Sequence, residues 1–211
     1  MKSLKVCAVI LASLFLLTAC PLKEGDVPLP RNKVAVFFPG MGYTHERPLL
    51  SDSRKIFEDN GYEIKLIEWT DLPRNRSVEP ACDQAAEQLD TMNLDRYEEV
   101  VFVSKSIGTV ASSTYVANHD LEVKQIWYTP LIKSFEACND NVEEGSIIAF
   151  IGTDDENANI AEVKSKAEIL NIELHVYDDC DHSLETGDVS KDKEVLDDVM
   201  AVTSDYIKKK E

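Results

Sequence analysis

Ser106 follows the apolar run Val100-Val101-Phe102-Val103 and the short turn Ser104-Lys105, and a stretch of small residues beginning Ile107-Gly108-Thr109 comes directly after it. A strand that becomes a helix over so few residues must turn sharply. A serine at that vertex has its hydroxyl pushed out of the sheet, with the next backbone N–H groups pointing past it, which is what a nucleophilic serine needs. Further along, Asp154-Asp155 follows a second apolar run and His182 follows the last one. A nucleophile, an acid and a base, each placed just after an apolar run, are the parts of a serine-based acyl transfer in which no cofactor takes part.

Positioning those residues requires a sheet. From residue 33 the chain alternates between β-branched apolar runs and helical stretches. Strands are expected over Lys33–Phe38, Tyr62–Trp69, Glu99–Val103, Lys124–Tyr128, Ser146–Ile151 and Glu173–Tyr177. Helices are expected over Leu50–Asn60, Pro80–Met92, Ile107–Asn118, Ala158–Asn171 and Asp192–Lys208. Lys33–Phe38 is nearly continuous in apolar residues, as a strand covered on both faces should be. Such alternation implies an α/β fold, a mostly parallel sheet of about six strands with helices on both faces. Pro39-Gly40, Ser104-Lys105-Ser106, Asp154-Asp155 and Asp181-His182 all follow strand ends, so they meet at the carboxyl edge, where open α/β sheets bind ligands.

These residues resemble the α/β-hydrolase superfamily, and the resemblance covers residues 33 to 209. Phe38-Pro39-Gly40-Met41-Gly42-Tyr43-Thr44 together with Ser104-Lys105-Ser106-Ile107-Gly108-Thr109 is similar to small, lidless bacterial members. The family motif G-x-S-x-G reads here Ser104-Lys105-Ser106-Ile107-Gly108, with serine in place of the first glycine. The resemblance implies an α/β-hydrolase fold without a lid domain and a catalytic set of Ser106, Asp155 and His182. The family pattern G-x-x-D maps onto Gly152-Thr153-Asp154-Asp155, which selects Asp155; Asp154 is the alternative acid. It also implies an oxyanion hole from the N–H groups of Ile107 and Met41, with Gly40, Gly42, Tyr43 and Lys105 as pocket candidates. The implied reaction is hydrolysis of an ester, thioester or similar small acyl substrate. Two rivals are an acyltransferase and a binding protein on an inactive hydrolase scaffold.

Several residues also have plainer roles. Serine is a preferred helix cap, so Ser106 could simply cap the helix that follows it. His182 is one of four histidines; His175 lies in a strand, His119 ends a helix, and His45 sits in the Gly40 loop where it could line the pocket. Asp178, Asp181 and His182 are metal-ligand types, but neighbouring acids in a loop read as solvated charge, and no metal is expected. No lysine follows Gly108, so this is not a phosphate loop.

The chain has 211 residues and a net charge of −17. That balance excludes nucleic acid as a partner and a broad grip on anionic lipid headgroups. Lys2 and Lys5 precede an apolar run from Val6 to Leu17, shorter than the roughly 20 residues a spanning helix needs. Leu17-Thr18-Ala19-Cys20 then resembles a bacterial lipobox. Residues 1–19 are therefore expected to be a lipoprotein-type signal peptide, with Cys20 lipidated and the protein exported and anchored to the outer face of a bacterial membrane. An ordinary signal peptide or an uncleaved anchor is the alternative. Residues 20–32 read as a tether and 33–211 as one catalytic domain. Cys82, Cys138 and Cys180 remain in that domain, and their number permits at most one disulfide, with no pair singled out.

Overall fold

In the computed structural model, residues 32–73, 77–138 and 142–209 are described. The expected signal peptide, Cys20 and the tether as far as residue 31 lie outside them. Six strands form one sheet: β1 (Lys33–Phe38), β2 (Glu63–Leu66), β3 (Glu99–Lys105), β4 (Lys124–Tyr128), β5 (Ile147–Gly152) and β6 (Glu173–Tyr177). Their order is β2-β1-β3-β4-β5-β6, and every pair is parallel. The α-helices are α1 (Pro48–Asp59), α2 (Glu79–Leu89), α3 (Ile107–His119), α4 (Ile132–Ala137), α5 (Ile160–Ile169) and α6 (Val189–Lys208).

The strand sequences explain the layers. Successive side chains on a strand point to opposite faces, so Ala35 and Phe37 face one way and Val34, Val36 and Phe38 the other. All five are fully buried. Ala35, Phe37, Val101, Val103, Ile126 and Tyr128 pack against Leu50 and Phe57 of α1 and Val199 and Tyr206 of α6. On the opposite face, Val36, Phe38 and Phe102 meet Ala85 and Leu89 of α2 and Ala111 and Tyr115 of α3. There too, Trp127, Ala149 and Ile151 meet Phe135 of α4 and Val163 and Ala167 of α5. The strand order reverses between β1 and β3, so right-handed crossovers put α1 and α3 on opposite faces and open a crevice at that point.

The ends of the expected elements fall within three residues of their expected positions, and three differences from the expected elements have a local reason. β2 ends at Leu66 instead of Trp69 because α2 captures the following amides: Glu68 N–H donates to Gln88 Oε1 at 2.9 Å and Thr70 N–H to Gln84 Oε1 at 2.7 Å. α6 starts at Val189 because the Asp188 carboxylate accepts the N–H groups of Ser190 and Lys191 at 2.9 and 3.2 Å, a helix N-cap. α4 was not expected at all, since six residues are too few to show a helical period.

Candidate active site

Ser106 is the single residue between β3 and α3, with φ 53° and ψ −119°. A non-glycine residue at positive φ is strained by about 1–2 kcal/mol, and its neighbours hold it there. Ser106 N–H donates to Tyr128 O at 3.0 Å, continuing the β4 ladder past the end of β3. Its carbonyl accepts the Thr109 N–H at 2.8 Å and the Thr109 hydroxyl at 2.6 Å. The hydroxyl of Ser106 makes no capping bond to α3, so the helix-cap alternative does not describe it. The close approach of α3 to β1 depends on Gly108, where a Cβ would lie 2.6 Å from Phe38 O. Ser104, standing for the family's first glycine, is fully buried, and its hydroxyl donates to Ser112 Oγ at 2.9 Å.

Ser106 Oγ lies 2.7 Å from His182 Nε2, and His182 Nδ1 lies 2.8 Å from both carboxylate oxygens of Asp155. A carboxylate only accepts, so Nδ1 carries the proton and donates it, leaving the Nε2 lone pair facing the serine hydroxyl. The Asp155 side chain is fully buried, and its Oδ1 also accepts the Asn157 N–H at 2.9 Å. Asp154, the alternative acid, is exposed and contributes a backbone bond, its N–H donating to Cys180 O at 2.9 Å. The loops after β5 and β6 are laced together by that bond, by Thr153 N–H to Tyr177 O at 2.9 Å, and by Asp179 N–H to Thr153 Oγ1 at 2.8 Å. Gly152 makes the lacing possible, since a Cβ there would fall 2.0 Å from Cys180 O.

Gly40 lies beside the nucleophile: a Cβ on it would be 3.4 Å from Ser106 Cβ and 3.3 Å from Lys105 Cγ. The turn is closed by Gly40 N–H to Tyr43 O at 3.0 Å and Tyr43 N–H to Gly40 O at 3.3 Å, with Gly42 at φ 79°. The N–H groups of Met41 and Ile107, the two expected oxyanion donors, have no acceptor among the described residues. Met41 exposes 43% of its surface at this edge.

Other candidates are placed differently from expectation. The Tyr43 hydroxyl does not reach a pocket: it accepts the Leu49 N–H at 3.1 Å at the start of α1, and burial pushes it up to about 12. His45 is buried in its own loop, donating from Nε2 to Ile67 O at 2.8 Å, and so does not line the site. His119 donates to Tyr115 O at 2.9 Å, as a helix-terminal histidine should, and His175 pairs with Glu173 at 2.9 Å. Lys105 is almost completely buried beneath the Gly40 turn, and its ammonium donates to His182 O at 2.8 Å. Burial pulls it down to about 7, against the opposing pull of Asp155, Asp181 and Glu156. Asp181 accepts the N–H groups of Ser183 and Glu185 at 2.6 and 3.1 Å, so its carboxylate shapes the His182 loop. Cys82, Cys138 and Cys180 are all free. Sequence reasoning missed Asn157, whose backbone N–H holds the Asp155 carboxylate, and read Gly152 as part of the acid's motif without the close approach to Cys180 that it permits.

No protein-family model and no curated protein sequence matches the chain. Solved structures do match its fold. A serine hydrolase without a lid from Xanthomonas campestris superposes with a TM-score of 0.65 at 13% identity, covering 87% of this chain and 84% of that one. An esterase from Pyrococcus furiosus does so at 0.64 and 12%, covering 85% and 83%. An α/β serine hydrolase homologue from Coxiella burnetii does so at 0.63 and 11%, covering 82% and 84%. At such identities the likeness is one of architecture. The chain carries the α/β-hydrolase fold, with an all-parallel six-stranded sheet and no lid domain among the described residues.

Proposed function

We propose that the protein is a serine hydrolase acting on small acyl esters or thioesters, with Ser106 as nucleophile, His182 as general base and Asp155 as its orienting acid. The observation that carries this reading is the unbroken hydrogen-bond chain from Ser106 Oγ through the imidazole to a carboxylate with no solvent access. In the first half, Ser106 Oγ attacks the substrate carbonyl while its proton passes to His182 Nε2. Asp155 stabilises the imidazolium that forms and holds the tautomer, without itself taking the proton. The N–H groups of Met41 and Ile107 receive the negative charge that develops on the carbonyl oxygen. His182 then protonates the leaving alkoxide or thiolate. In the second half it deprotonates a water that attacks the acyl-enzyme, releasing the acid and restoring Ser106.

A small acyl group is favoured by the shape of the edge. Only Thr129, Pro130 and Leu131 separate β4 from α4, which leaves no room for a lid inserted between them. Ile107 packs with Val110, Trp69, Leu72 and Leu131, which offers a modest apolar wall beside the nucleophile.

The test is a fluorophosphonate probe on the full-length protein, mapped by mass spectrometry. The expected result is an adduct on Ser106 that is absent after heating and in His182→Ala. A folded, cooperatively melting sample that takes no label would overturn the reading and point to a binding role. Exported anchoring through Cys20 forms part of the same proposal; growth with a labelled fatty acid should mark the protein, and Cys20→Ala should remove the mark.

A further inference from the structure

We propose that Lys105 is a positioning residue, its buried ammonium tying the loop that carries His182 to the loop that carries Met41 and so holding the imidazole against Ser106. The inference rests on the hydrolase reading above and adds a residue to it.

Lys105 ends β3 on the same face as Val101 and Val103, the face covered by α1 and α6. The loop from Gly40 to Arg47 leads into α1, and the loop from Asp181 to Glu185 leads towards α6. Lys105 lies between them. Its methylene stem runs beneath Gly40, its ammonium sits 5.0 Å from the centre of the Tyr43 ring, and it donates to His182 O at 2.8 Å. One side chain thus touches the turn bearing one expected oxyanion donor and the backbone of the base, while its own backbone precedes the nucleophile. Its reach is needed, because the His182 carbonyl belongs to the loop after β6, three strands away from β3 in the sheet order.

The site is a poor one for a charge. Lys105 is 1% exposed, and its ammonium donates to His182 O. A methionine would fill the same space without desolvating a cation. A cation kept where packing disfavours it is the pattern expected where function overrides stability. A second link spans the same two loops at the surface, with Arg47 3.5 Å from Glu185 and its guanidinium 5.2 Å from the Tyr43 ring centre. Both of those side chains are about half exposed, so solvent screens that pair and the buried tie carries the alignment.

The test is Lys105→Met in the full-length protein, read in two ways. Fluorophosphonate labelling of Ser106 should slow by roughly 10- to 100-fold, since a displacement near 1 Å at a catalytic group costs about that much. The loss should fall on kcat, with KM little changed, while thermal melting stays at least as high as before. Independently of activity, the downfield proton resonance of His182 Nδ1–H should be sharp in the native protein and broadened or lost in the variant. Native labelling rates with an unchanged resonance in the variant would overturn the proposal. If the native protein takes no label, the hydrolase reading falls, and the resonance alone decides whether Lys105 positions His182. Should Lys105→Met fail to fold, the smaller Lys105→Leu is read in the same way.

Discussion

Asp155→Asn is the sharpest probe of the site because the structure dictates how the amide must sit. Asp155 Oδ1 accepts the Asn157 N–H at 2.9 Å, and both oxygens lie 2.8 Å from His182 Nδ1. An asparagine keeps its carbonyl oxygen towards the Asn157 N–H, because turning its NH2 there would set donor against donor at a site closed to water. The NH2 then faces His182 Nδ1 and can be satisfied only if Nδ1 gives up its proton. The imidazole switches tautomer, Nε2 becomes N–H, and the Ser106 hydroxyl loses its proton acceptor. For a buried acid in this role the loss is about 10⁴-fold in rate, equivalent to about 5 kcal/mol of transition-state stabilisation. Fold stability should change far less, since packing is conserved and a single charge-assisted bond is weakened by about 1.5–3 kcal/mol. The assay is the second-order rate of phosphonate labelling together with hydrolysis of p-nitrophenyl acetate, with Asp154→Asn alongside. Asp154 is exposed and should tolerate the change within about twofold. If Asp155→Asn kept more than a tenth of the native rate, or if Asp154→Asn produced the large loss, the assignment of the acid and the tautomer argument would both fail.

Gly152→Ala should lower activity and melting temperature together, because its Cβ would stand 2.0 Å from Cys180 O and the loop carrying His182 must move to admit it; a cost of about 3 kcal/mol, read by denaturant titration, is expected for such overpacking. Tyr43→Phe should cost about 1 kcal/mol, since Leu49 N–H at the start of α1 loses its acceptor, and should leave the labelling rate within a few fold. Lys105→Met should stabilise the protein in a pH-dependent way. Burial lowers Lys105 from 10.5 to about 7, so between those values the unfolded chain binds the extra proton and native stability rises with pH. The penalty of keeping the lysine is therefore full below pH 7 and gone above about pH 10.5. The variant's gain in melting temperature should be largest at pH 6, and absence of any gain there would contradict the burial argument.

The inner strands were legible because their side chains are buried on both faces and so read as apolar runs; β1 and β4 have the ends expected for them. The helices α3 and α5 were legible in the same way, from small or periodic apolar residues bounded by turn formers. The edge strand β2 was overextended because its last residues keep a strand-like composition, while the choice between ladder and loop lay with Gln84 and Gln88, residues of a later helix. α4 left no period to detect. At the site, residue types and chain order named Ser106, the Asp154-Asp155 pair and His182, because chemistry limits which side chains can serve.

Sequence alone thus determined the α/β alternation and the set of groups able to act, since both follow from local composition and side-chain chemistry. Tertiary structure alone decided which groups meet. It turned Asp155 inward and left Asp154 exposed, since the Thr153 and Asp154 amides are fixed to the neighbouring loop. It turned the Tyr43 hydroxyl to α1 and buried His45 against Ile67 O, removing both from the pocket. It also carried the Lys105 ammonium beneath Gly40 to His182, a contact across 77 residues of chain. Such pairings depend on strand order and register, and no spacing along the chain encodes them.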